Sequence, residues 1–117
     1  MLRRVAPFID LLAVVVFVAI GRARHDHGDA LGGLVSTSWP FVLGLIVSWV
    51  ILARRSRAGL GLGDGALVVV VTVAIGMLAR VIAGQGTAFA FILVALAFLA
   101  LEMEGWRLVV GRVSRGA

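Results

Sequence analysis

Three ionisable residues fall where charge is costly. Asp10 sits in "FIDLLAVVVF", Glu102 in "ALEMEGWR", and Arg107 closes that second stretch. A carboxyl group buried beside a like charge is pushed toward its protonated form, and that is how a proton carrier is built. A guanidinium beside the same carboxylate gives the other outcome, an ion pair that locks two helix ends. Asp10 follows Arg4 by six residues, about 9 Å of helix. Glu102 follows Thr87 by fifteen residues, about 22 Å into a core about 30 Å thick. The two carboxylates reach a similar depth, so Asp10, Glu102 and Arg107 form one candidate cluster, either a proton relay or an ion pair.

A second constellation is "GRARHDHGD", residues 21–29, between two apolar runs. Arg22 and His25 are spaced i, i+3, so one more helical turn puts both on one side. Arg80 and Gln85 end a later apolar run at the same level, with Thr72 lower on the Arg80 face. Arg22, His25, Arg80 and Thr72 are therefore candidates for a polar pocket holding an anionic headgroup, a carboxylate or a quinone carbonyl, with the guanidinium groups as donors. A plain wet loop that stops a helix among headgroups is the competing reading. A metal site is not assigned, because His25 and His27 flank Asp26 and further ligands would have to come from Asp29.

Two stripes position these groups. Thr72, Gly76 and Arg80 recur at i, i+4 and i+8, and Pro40, Gly44 and Ser48 share that spacing. Small and hydroxyl residues on one helical face let backbones approach and hydrogen-bond across helices. Pro40, Gly44, Ser48 and Gly76 are the expected packing contacts. Pro40 is expected within the first turns of its helix, where a missing N–H does little harm.

The elements carrying the stripes are apolar and long. Of the 117 residues, 62% are hydrophobic, against about 45–50% in soluble domains. Four spans are read at about 5–22, 34–53, 66–83 and 87–110, in a single domain. The expected fold is all-α, a polytopic bundle of four transmembrane helices. Asp10 within the first run argues against a cleaved signal peptide. The loop "RRSRAGLGLGDG" lacks a GK[ST] ending and reads as a flexible basic turn at anionic lipid.

The net charge of +5 comes from arginine alone. Eight arginines (Arg3, Arg4, Arg54, Arg55, Arg57, Arg107, Arg112, Arg115) fall on one side, and Arg22, Arg24 and Arg80 on the other. Both termini are therefore expected in the cytoplasm, with the chain in the plasma membrane. Trp39, Trp49 and Trp106 suit the interfacial aromatic belts. The arginines cap apolar segments and line no single face, so nucleic acid is not an expected partner. Cysteine is absent, and no nucleophile–base pair or nucleotide loop appears, so an enzyme is not expected. No cofactor is assigned.

"FIDLLAVVVFVAIGRARHDHG", "TSWPFVLGLIVSW", "TVAIGMLAR" and "GWR" together resemble domain of unknown function 3054, a family of small four-span membrane proteins. The resemblance covers nearly the whole chain. It implies marked positions at Asp10, Arg22, His25, Trp39, Pro40, Phe41, Thr72, Gly76, Arg80, Trp106 and Arg107. His27 matches no marked position, which weakens the metal reading further. The family brings no activity. Small multidrug-resistance exporters place a lone acid in span one, but theirs is a Glu with aromatic and Tyr surroundings missing here. Fluoride channels need an Asn and a Thr/Ser/Phe-rich third span, also missing.

Two functions follow as expectations. One is transport of a proton or small solute, which four short helices would carry out as a homo-oligomer. The other is a module that binds a lipid, isoprenoid or pigment, or docks onto a larger membrane complex.

Overall fold

The computed structural model describes the backbone of residues 2–25, 30–85 and 89–116, and the side chains of 4–21, 33, 35–85 and 89–113. Over these residues the chain is all-α. Helix α1 spans Leu2–His25, α2 Ala30–Arg54, α3 Leu62–Ile82 and α4 Phe89–Gly116. Each contains a window long and apolar enough to cross a membrane: Arg4–Gly21, Val35–Arg54, Leu62–Ile82 and Phe89–Val113. This is a multi-pass membrane protein.

The helices pack as a ring, α1 on α2, α2 on α3, α3 on α4, and α4 back on α1. Consecutive helices alternate in direction, so the start of α1, the end of α4 and the α2–α3 loop lie at one end of the bundle. That end is called the Arg107 end below, and the opposite one the Arg80 end.

Phenylalanines from three helices meet at the centre. Phe17 of α1 lies 5.7 Å edge-on from Phe41 of α2, and 5.5 Å from Phe98 of α4. Val68, Val69, Val73 and Met77 complete the core from α3. Large apolar side chains also point outward, among them Phe8, Ile82, Phe89 and Leu101. In water such a surface would be a liability; in a bilayer it is solvated by lipid tails.

The expected stripes face each other across the α2–α3 contact. Pro40, Gly44, Ser48, Thr72 and Gly76 are all buried. A Cβ on Gly44 would stand 2.5 Å from the Thr72 carbonyl oxygen and 2.8 Å from its Cα, so the two backbones touch there. At Gly76, an added Cβ would stand 2.8 Å from the Phe41 ring. Ser48 Oγ donates to the Gly44 carbonyl at 2.8 Å and lies 3.3 Å from Thr72 Oγ1.

One expectation about α2 is corrected. The helix begins at Ala30, so Pro40 stands in its interior and not in its first turns. A proline there removes the N–H that would bond the carbonyl four residues back, that of Ser36. The Gln85 amide supplies the donor, Nε2 to Ser36 O at 3.2 Å.

Both described loops that follow helices are tightly closed. Past α2, Arg57 N–H donates to Leu52 O and Ser56 N–H to Ala53 O, with Ser56 left-handed at φ 55°. Past α3, Gln85 N–H donates to Arg80 O and Gly84 N–H to Val81 O, with Gly84 at φ 75°. Both are Schellman closures that satisfy the last carbonyls of a helix.

Candidate functional site

At the Arg107 end, Asp10 of α1 meets side chains from α2 and α4. Its side chain is fully buried, and Arg107 is 2% exposed. Arg107 Nη2 donates to Asp10 Oδ2 at 2.7 Å and Nη1 to Oδ1 at 3.0 Å, a two-pronged ion pair. Trp106 Nε1 donates to Oδ1 at 2.9 Å, and Trp49 Nε1 to Oδ2 at 3.1 Å. Four donors from two helices thus saturate one carboxylate. Bidentate geometry with charge-assisted bonds is what a buried pair needs to offset desolvation.

Arg107 is satisfied as thoroughly. Its Nε donates to Gly59 O at 2.9 Å, Nη1 also to Met103 O at 3.0 Å, and the guanidinium lies 4.5 Å from the Trp106 ring centre. The Gly59 contact brings in the α2–α3 loop. Gly59 N–H donates to Asp64 Oδ2 at 3.1 Å, and Arg57 Nε pairs with Asp64 Oδ1 at 3.0 Å. Gly59 is left-handed at φ 79°, and a Cβ there would run into the Trp49 ring. The loop read as a flexible basic turn is therefore held from both sides: Asp64 grips its backbone and Arg57, Arg107 takes its carbonyl, and Trp49 covers Gly59.

Glu102 does not join this cluster. It forms no hydrogen bond or ion pair with Asp10 or Arg107, and its Oε1 is buried without a partner. The nearer carboxylate is Glu104, which sequence reasoning passed over. Glu104 lies within Coulombic range of Arg107 and Asp10, and a Cβ on Gly65 of α3 would collide with its carboxylate and stand 2.7 Å from Arg107 Cδ. Its Oε1 is also buried without a hydrogen-bond partner. The available signal was its place three residues before Arg107, on the same helical face. Trp49 and Trp106, expected only as belt residues, are donors to the central carboxylate. Asp64 and Gly59 were not singled out at all.

At the Arg80 end, Arg80 Nη1 donates to Gln85 Oε1 at 3.0 Å, and its guanidinium lies 4.6 Å from the Phe91 ring centre. Gln85 thereby links Arg80 to the Ser36 carbonyl. Thr72, expected in this pocket, is instead buried in the α2–α3 contact with Ser48, two turns away from Arg80. A residue that deep in a backbone-to-backbone contact is not open to a ligand. Arg22 and His25 lie on the last turn of α1, but their side chains are outside the described residues, as are residues 26–29 with Asp26, His27 and Asp29. Among the described residues, no three His, Cys, Asp or Glu side chains converge as a metal set.

The arrangement at the Arg107 end surrounds a buried carboxylate with donors and ties α1, α2, α4 and the α2–α3 loop together. A family model described as protein of unknown function, DUF3054, matches residues 7–110, and the chain belongs to that family. No curated protein and no solved structure matches it.

Proposed function

We propose that this family member is a membrane-embedded binding or accessory module, with both termini and the α2–α3 loop cytoplasmic, in the plasma membrane. The reading is carried by the state of Asp10. The carboxylate best placed in the sequence to carry a proton has donors on both oxygens. Protonating it would break charge-assisted bonds and strand Arg107 in the interior. The aromatic packing of Phe17, Phe41, Phe91 and Phe98 further supports a closed bundle. Its working surface is then the apolar exterior and the two charged ends. On this reading the chain is not an enzyme.

The test is native mass spectrometry of the full chain from mild detergent, with affinity purification from its own membranes. One retained amphiphile, or one larger membrane protein at fixed stoichiometry, is the expected result. A bare homo-oligomer that drives solute or proton flux in liposomes would overturn it.

A second reading, transport by a homo-oligomer, is favoured by one observation. Glu102 and Glu104 each keep a buried carboxylate oxygen without a partner. If they carry protons, Glu102→Gln or Glu104→Gln abolishes coupled flux while Asp10→Asn lowers only the amount of folded protein.

A further inference from the structure

We infer that the seam between α1 and α4 docks a transmembrane helix of another protein, whose Arg or Lys pairs with Glu102. This rests on the binding-module reading and names its partner class and surface. Phe98, Glu102 and Trp106 recur at i, i+4 and i+8, so they share one face of α4. Both flanking members meet α1: the Phe98 ring lies 5.5 Å from that of Phe17, and Trp106 donates to Asp10. Glu102 therefore stands on the seam between those two contacts. The α1 residues between Asp10 and Phe17, 11–16, are all Leu, Ala or Val and offer no side-chain donor.

Within the chain Glu102 goes unanswered. Its Oε1 is enclosed without a hydrogen-bond partner, and no basic side chain among the described residues pairs with it. Arg107 is committed to Asp10, Gly59 and Met103, and Trp106 Nε1 to Asp10. Glu104 differs, because Arg107 and Asp10 lie within Coulombic range of it and neither bears on Glu102. A carboxylate inside a span is costly until something neutralises it. Glu102 is only partly enclosed. Gly105, three residues on, lies further from the buried face of Ala95, Leu99 and Met103. A Cβ there would meet open space, so the glycine weakens the helix without serving a contact inside the chain. A small residue beside a polar group is what lets a second helix come close. Exposed Leu101 and Val109 supply the apolar rim.

Charge complementarity calls for a cation, and depth decides who carries it. Copies of this chain insert the same way round, so like residues stand at like depths. The basic residues fall within 3–4, 22–24, 54–57, 80 and 107–115. The nearest, Arg107, is about 7 to 8 Å further along α4 and is buried against Asp10. A second copy therefore brings no cation to Glu102. A lipid headgroup amine stops at the edge of the core, about 8 Å short of it. A foreign helix with an Arg or Lys at that depth satisfies both conditions.

The test places the full chain, carrying Ser56→Cys with a donor dye, in phosphatidylcholine vesicles with acceptor-labelled synthetic helices of Leu and Ala. One helix carries a single Lys about 8 Å inside one end of its apolar stretch. The other carries Gln at the same place. Energy transfer measures association, and the Lys helix should bind about five- to thirtyfold more tightly than the Gln helix. Glu102→Gln should remove that preference, with circular dichroism confirming an unchanged helical content. Gly105→Leu, which fills the notch, should weaken both helices. Equal association of the Lys and Gln helices with the unaltered chain would overturn the inference, and so would a preference that survives Glu102→Gln. Energy transfer between donor- and acceptor-labelled copies of the chain, lost in Glu102→Gln, would overturn it too, because a second copy would then hold the seam. Each of these failures leaves the wider binding-module reading standing, since that reading falls only to the flux result above.

Discussion

Asp10 and Arg107, ninety-seven positions apart in sequence, meet through two parallel hydrogen bonds at 2.7 and 3.0 Å with neither side chain reaching solvent. The pair closes the ring of helices between the first and the last. Its worth shows only when one partner is lost. Asp10→Asn leaves the guanidinium without a counter-charge, and breaking a buried pair in this way costs about 3–5 kcal/mol. Replacing both partners, as Asp10→Leu/Arg107→Met, removes the uncompensated charge but leaves the Trp49 and Trp106 N–H groups and the Gly59 carbonyl without these partners, so it should recover only part of that loss. Thermal denaturation in detergent of the two variants checks this: the double variant should melt above the single one.

How far the sequence displays this site depends on which physical signal each residue emits. Asp10 interrupts an apolar run, so it announces itself, and pairing with Arg107 is one of the two outcomes its position allows; depth alone also brings in Glu102, which makes no bond to either. The stripes of Pro40, Gly44, Ser48, Thr72 and Gly76 announce themselves by spacing. Trp49 and Trp106 do not, because an indole near a membrane interface satisfies two descriptions, and only the neighbouring helix decides between them. Gly59 and Asp64 emit no periodic signal at all. Their role depends on a left-handed φ and a loop closure that composition reads as flexibility. Thr72 counts among the pocket candidates because its stripe ends at Arg80. A stripe marks a face, however, and two turns of helix along that face change the environment from headgroup to core.

The glycines on the α2–α3 and α3–α4 contacts should differ in tolerance. A methyl at Gly44 meets the Thr72 backbone, which moves only if the helices part. A methyl at Gly65 meets the end of the Glu104 side chain, which can swing aside, and Arg107 Cδ, which is held through its pinned guanidinium. Overpacking of this kind costs about 1–3 kcal/mol. Gly44→Ala should lie at or above the top of that range and Gly65→Ala within it. Denaturant midpoints of the two variants decide it.

Three left-handed positions separate backbone strain from collision. Gly84→Ala is left-handed with open space around it, so it should lose only the conformational cost of about 1 kcal/mol. Gly59→Ala adds a collision with the Trp49 ring and should lose clearly more, with a shift in Trp49 emission that Gly84→Ala does not show. Ser56 already occupies φ 55° with a side chain. Ser56→Gly should therefore stabilise, by a few tenths of a kcal/mol to about 1. Melting curves with tryptophan fluorescence read all three.

The chain has no cysteine, so orientation can be read with single introduced thiols. Ser56→Cys reports the Arg107 end and Gln85→Cys the Arg80 end. With eight arginines at the former and three at the latter, membrane-impermeant maleimide added to intact cells should label Gln85→Cys. It should reach Ser56→Cys only after the membrane is opened. The reverse pattern would place both termini outside and remove the cytoplasmic assignment.

Pro40 and Gln85 should behave as a single unit although they lie on different elements. The proline withholds an N–H from the Ser36 carbonyl, and Gln85 Nε2 fills that place from the end of α3 while its Oε1 takes a bond from Arg80. The bond is exposed at the Arg80 end, where water competes for the carbonyl, so Gln85→Leu should cost about 0.5–1 kcal/mol in the native chain. Pro40→Ala restores the helical donor to Ser36, and the same Gln85→Leu change should then cost less. A double-mutant cycle measures the difference as a coupling between positions that do not touch, transmitted by one backbone oxygen. Additive losses would mean that Gln85 acts through Arg80 alone and that the Ser36 carbonyl tolerates the proline unaided.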